Sequence, residues 1–113
     1  MTRRNIFLDD IRTGPPNHII AKTAEECILL LKEEEPVSHL SLDHDLGSNR
    51  NNGYEVVLYL LQLNHPAFPD RITIHSANAG AGKRMYHSLL EGKATGLVPV
   101  HVKILYRPLP IKL

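Results

Sequence analysis

The chain has a single cysteine, so no disulfide can form within it. Cys27 falls inside an apolar helical pattern, where a thiol behaves as a small buried hydrophobe. Such cysteine usage points to a reducing, cytoplasmic setting. Neither sign of charge is in excess. Thirteen Lys and Arg against twelve Asp and Glu leave a formal net charge of +1, and no general nucleic-acid footprint shows at that level. Long apolar runs are also missing. None approaches the ~20 residues that cross a bilayer. MTRRNIFLDD has two arginines but no apolar segment before its acidic pair, so no signal peptide is expected. Repeats and linkers are absent, and residues 1–113 are expected to form one domain.

What is present is an alternation of short strand and helix patterns. Arg4 to Leu8 alternates and ends in Asp9-Asp10; a turn-rich loop, Thr13 to Asn17, follows. His18 to Lys22 reads as a second strand. Thr23-Ala24-Glu25-Glu26 is a capping box, and the spacing predicts a helix over residues 24–34. His39 to Asp43 is the third strand, Gly47 to Asn52 a polar loop, and a second helix is expected from Gly53 to about Leu63. His65 to Asp70 breaks the pattern. Arg71 to His75 is a strand, a third helix is expected over residues 81–90, and Gly92 to Pro99 reads as a loop. Val100 to Tyr106 completes the set. Strands alternating with helices argue α/β with a mostly parallel sheet.

The strands themselves are unusual for such a sheet. Buried parallel strands normally read as continuous apolar runs. Here Ile6, Leu8, Leu40, Leu42, Ile72, Ile74, Val102 and Ile104 would share one face. Asn5, His39, Ser41, Arg71, Thr73, His101 and Lys103 would share the other, with Phe7 and Leu105 as apolar exceptions. Three helices can all lie on the apolar face. The polar face would then be solvated or used by a second subunit, and a homodimer through this face or a sheet edge is expected.

In open parallel sheets, ligands bind beyond the carboxyl ends of the strands. Asp9, Asp10, Asp43, His44, Asp45, His75, Ser76 and Arg107 all fall there. Carboxylates crowded together repel, and a hard divalent cation, Mg²⁺ or Mn²⁺, removes that penalty. Asp9, Asp10, Asp43 and Asp45 are the candidate ligands, and His44 and His75 are candidates for proton transfer. Ser76 to Arg84 (SANAGAGKR) resembles a small-residue loop opening a helix, with Ser76, Asn78, Lys83 and Arg84 as candidate phosphate contacts. It is not a Walker A loop, because the GxxxxGK spacing with a following Ser or Thr is absent. Arg107, before Pro108, is a further phosphate candidate. Arg12 is a weaker one, and Arg50 could close over a ligand.

An acidic pair after strand one, Asp43 ending strand three, Ser76-Ala77 after strand four and Arg107-Pro108 after strand five resemble response-regulator receiver domains. That resemblance implies a flavodoxin-like, five-stranded sheet of order 2-1-3-4-5. It also implies Mg²⁺ at Asp9, Asp10 and Asp43, phosphoryl acceptance at Asp43, and contacts from Ser76 and Arg107. The departures agree with the polar face. The loop Thr13–Asn17 replaces the first receiver helix, and the helix after strand five is missing. FLDD, TAEE, LSLDHDLG, GYEVV and IHSAN with a downstream RM are similar to a divergent group, the cyclic-phosphate-processing receiver domains. This implies a metal-dependent phosphoesterase acting on a cyclic phosphate, in a small molecule or at an RNA end. It would use Asp43, His44 and His75 in catalysis. The alternatives are a phospho-accepting signalling module and a small non-catalytic binder or inhibitor.

Overall fold

Period-two patterning lays down a five-stranded parallel sheet. The structure is a computed structural model that describes residues 4–48, 51–63 and 68–108. In chain order the elements are β1 (Arg4–Leu8), β2 (Ile19–Ala21), α1 (Ala24–Leu31), β3 (Val37–Leu42), β4 (Asp45–Ser48), β5 (Asn51–Asn52), α2 (Tyr54–Leu60), β6 (Arg71–Ser76), α3 (Ala79–Thr95) and β7 (Lys103–Pro108). The sheet order is β2-β1-β3-β6-β7, every pair parallel. Counting only its own strands, this is the doubly wound order 2-1-3-4-5, and the fold is the α/β receiver fold. The difference from the expected layout is a separate antiparallel hairpin, β4–β5, where the sequence reads as loop.

The core confirms the two-faced sheet. Ile6, Leu8, Leu40, Leu42, Ile72 and Ile74 are fully buried and form one apolar cluster with Cys27 and Leu31 of α1, Val56, Val57 and Leu60 of α2, and Met85 and Leu89 of α3. At about 25 cal/mol per Å² of apolar surface, each such side chain contributes roughly 1.5–3 kcal/mol. Phe7, Ser41 and Thr73 are buried but stand outside that cluster, because their parity turns them to the other face. Among the described residues, no helix covers that face. The loop after β1 covers part of it instead. A Cβ on Gly14 would lie 3.0 Å from the Phe7 ring and 2.5 Å from Ile20 Cδ1, so the loop lies close over Phe7 at this glycine.

Helix ends differ from the expected ones for local reasons. Thr23 caps α1 by accepting from the Glu26 amide at 3.1 Å, and Glu26 accepts from the Lys22 amide at 3.4 Å. The helix stops at Leu31, before Glu33, Glu34 and Glu35, whose charges would oppose the negative end of the helix dipole. α3 starts two residues early, because the Asn78 side chain caps it by accepting from the Ala81 amide. It also continues through Gly92. A Cβ there would approach Leu61 Cδ2 to 2.7 Å, so this glycine serves close packing within the helix. Gly96, at φ 89°, ends it in the left-handed conformation. β7 begins at Lys103 rather than Val100, in register with Arg71.

Candidate metal and phosphate site

Parity and register together build the site. Phe7, Ser41 and Thr73 occupy one row across β1, β3 and β6. Two residues on, Asp9, Asp43 and His75 emerge on the same, helix-free side at the carboxyl ends of those strands. All three are buried, and one ligand atom from each lies within 4.8 Å of the others. Three strands separated by more than thirty residues are needed to make this group.

The two carboxylates are in different electrostatic states. Burial pushes Asp9 up. That effect is outweighed by hydrogen bonds from the Arg12 and Ile11 amides (2.8 and 2.9 Å), the Arg12 guanidinium (3.2 Å) and His75, which hold it below the usual carboxylate range. Asp43 goes the other way. Burial and then the charge of Asp9 raise it to about 6, against partial relief from the His44 amide and Arg12. Neighbouring carboxyls driven apart in this way mark acid–base or cation sites.

His75 is held on every side. Its Nε2 lies 3.1 Å from Asp9 Oδ2, its Nδ1 lies 2.6 Å from Ser41 Oγ, and its ring stacks on Phe7 at 4.3 Å and 3°. Burial shifts its pKa down. Since Asp9 is ionised and can only accept, Nε2–H donates to it and Nδ1 accepts from the Ser41 hydroxyl. The hydroxyl can equally accept from Nδ1–H, so Ser41 supports either tautomer, including the one with Nε2 free to ligate a metal.

The remaining residues form an outer shell. His44 Nδ1 pairs with Asp45 Oδ1 at 2.6 Å. Asn78 Nδ2 donates to the same Asp45 oxygen at 3.3 Å. Asn78 therefore acts as a strut between α3 and the chain after β3. The Ser76 hydroxyl is buried and accepts from the Asn78 amide at 3.1 Å. Asp10 points away from the Asp9 group, toward Gly47, where a Cβ would lie 2.7 Å from Asp10 Oδ2. Its Oδ1 is buried with no hydrogen-bond partner among the described residues. Lys83, Arg84 and Arg107 are exposed. Arg50 lies outside the described residues.

The basic group beside the acids is Arg12. Its Nη1 stands 3.2 Å from Asp9 Oδ2 and 3.6 Å from Asp43 Oδ2, bridging the pair. Sequence reasoning placed it below Arg107 as a phosphate contact, and named Ser41 and Phe7 only as residues of the open face, not as part of the site. The signal was available for Ser41, which shares parity with Asp43 two residues later.

The donor set suits a divalent cation: two carboxylates and an imidazole gathered in a buried cluster. Among the described residues, no helix is long and apolar enough to cross a membrane.

Comparison with known proteins adds one match. A family model described as cyclic-phosphate processing receiver domain covers residues 4–91, which is 88 of the 113 residues. It includes Asp9, Asp43 and His75 but ends before β7 and Arg107. No curated protein and no solved structure gives a significant match.

Proposed function

Because the chain belongs to the cyclic-phosphate processing receiver domains, we propose that it is a metal-dependent phosphoesterase that opens a cyclic phosphate ester by hydrolysis. The observation that carries this reading is the buried Asp9–Asp43–His75 group at the strand ends. Asp9, Asp43 and His75 would hold Mn²⁺ or Mg²⁺. The cation supplies charge neutralisation at the phosphoryl oxygens and acidifies a bound water.

The chain's own groups then divide the work. His44 donates an Nδ1–H hydrogen bond to Asp45 Oδ1, so Nε2 carries the lone pair that takes the proton from the attacking water. Asp45 is in turn steadied by Asn78. Water oxygen bonds to phosphorus, one ring P–O bond breaks, and the departing oxygen takes up a proton from solvent to become a hydroxyl, while His44 returns the proton it removed from water to solvent. Both nitrogens of His75 are engaged, so holding and orienting suit it better than proton relay. Arg12, which lies against both carboxylates, would be the guanidinium that meets a phosphate oxygen. Ser76, Lys83, Arg84 and Arg107 would be more distant contacts.

The test is turnover of nucleoside 2′,3′- and 3′,5′-cyclic monophosphates and RNA 2′,3′-cyclic ends with Mn²⁺ or Mg²⁺. The expected result is hydrolysis that falls roughly 10²–10⁴-fold in His44→Ala, the usual contribution of a general base. Absence of turnover across the panel overturns the reading. A stable phosphoryl adduct on Asp43 after acetyl phosphate treatment would replace it with a signalling role.

A further inference from the structure

The face of the sheet that no described helix covers carries a charge pattern invisible in the net charge. Arg71 and Lys103 are register partners on β6 and β7, and Arg107 is the partner of His75. Register and parity put all three on the helix-free face, and all three are exposed. The two rows before the acidic site, Asn5–His39–Arg71–Lys103 and Phe7–Ser41–Thr73–Leu105, contain no carboxylate. All seven glutamates lie in the helices or just after α1, on the other layer. The helix layer holds the glutamates together with Lys32, Lys83, Arg84 and Lys93, whereas these two rows of the open face carry cations without a carboxylate.

His39 lies in the same row as Arg71 and Lys103. It bonds His18 at 3.0 Å and Thr73 at 2.8 Å in the middle of this face. Burial and then the charges of Arg71, His18 and Arg107 bear on it together. The cations also have a direction. Lys103 to Arg107 is four residues of extended strand, about 13 Å, running along edge strand β7 to the carboxyl end of the sheet, where Arg107 is the partner of His75.

We infer that this face docks a single strand of RNA, with Arg71, Lys103 and Arg107 on its backbone phosphates, and that it delivers the strand's 3′ end to the Asp9–Asp43 site. The inference rests on the phosphoesterase reading for what happens at that end. A terminal cyclic phosphate on a polynucleotide requires the ribose 2′-hydroxyl, which selects RNA over DNA. A second copy of the chain is the poorer occupant, since pairing these faces would set like charges against each other.

Fluorescence anisotropy of a labelled single-stranded RNA octamer tests the docking without any turnover. Three phosphate contacts predict a log–log salt dependence with slope of about −2. The double variant Arg71→Glu/Lys103→Glu should weaken binding at least tenfold, and the milder Arg71→Gln/Lys103→Gln several-fold, with unchanged thermal unfolding. In turnover, the double variant should raise KM for an RNA ending in a 2′,3′-cyclic phosphate but leave a nucleoside 2′,3′-cyclic monophosphate unaffected. Octamer binding indifferent to these substitutions or to salt overturns the inference. So does a dimer in sedimentation that dissociates in the double variant. Failure to hydrolyse the mononucleotide would instead sink the phosphoesterase reading, while the anisotropy still decides the docking.

Discussion

Replacing Asp43 by Asn should stabilise the metal-free protein at neutral pH and leave it unchanged in acid. Asp43 has a folded pKa of about 6 against an ordinary 3.8. A raised folded pKa means that the stability associated with the protonated acid is fully present below the unfolded value. It is lost as pH rises through about 6. The interval is about two pH units, so the ionised carboxylate costs about 3 kcal/mol at pH 8. Asparagine cannot ionise, and its side-chain oxygen can still accept from the His44 amide, which lies 2.8 Å from Asp43 Oδ1. Asp9 titrates in the opposite sense, its stabilisation present above the unfolded value and lost in acid, but it is common to both proteins. Urea unfolding in EDTA from pH 4 to 8 should show the curves together at pH 4 and separated by up to about 3 kcal/mol at pH 8. For a chain near 100 residues this corresponds to a Tm rise on the order of 10 °C. Mn²⁺ at a thousandfold excess over Kd should reverse the order, stabilising the wild type by about 4.1 kcal/mol. A difference that is flat with pH, or an Asn variant less stable at pH 8, would refute the electrostatic reading of Asp43.

Two further substitutions probe the same site. Arg12→Gln removes the cation that bridges Asp9 and Asp43; the guanidinium is partly exposed and screened, so Mn²⁺ affinity by calorimetry should tighten by no more than about tenfold. Weaker Mn²⁺ binding would mean that Arg12 holds the loop rather than competing for the carboxylates. Gly53→Ala places a Cβ 1.8 Å from the Asp43 carbonyl oxygen. Neither backbone can give way cheaply, so the cost should reach about 3 kcal/mol or more in urea unfolding, with loss of Mn²⁺ binding as Asp43 shifts. A neutral effect would show that the β3–α2 junction is looser than its contacts indicate.

The sheet was legible because its signal is local. Side chains alternate with period two along any strand, so Ile6, Leu8, Leu40, Leu42, Ile72 and Ile74 declared the covered face, and their complete burial follows. The strand-end acids were legible for the same reason, since position along a strand is a property of that strand. The third helix was less so. Glycine weakens a helix in isolation, yet Gly92 lies inside α3 because Leu61 and Val98 press against it. The β4–β5 hairpin, with its polar GSNRNN segment, carries no apolar alternation to reveal it.

By itself, then, the sequence determined the faces of the sheet and which end of it is chemical. It also placed Asp43 at the end of the third strand, flanked by His44 and Asp45. Only the tertiary structure decided which of these groups meet. Asp9 and Asp10 are adjacent in the chain but face opposite ways, so one joins Asp43 and His75 while the other turns to Gly47. That choice depends on the register of β1, β3 and β6, which is set by packing between segments more than thirty residues apart. Arg12 reaches both carboxylates because its loop folds back on Asp9 through two amide hydrogen bonds. Periodicity describes the path of one strand. It does not report the charge that the next strand, or a returning loop, will place beside it.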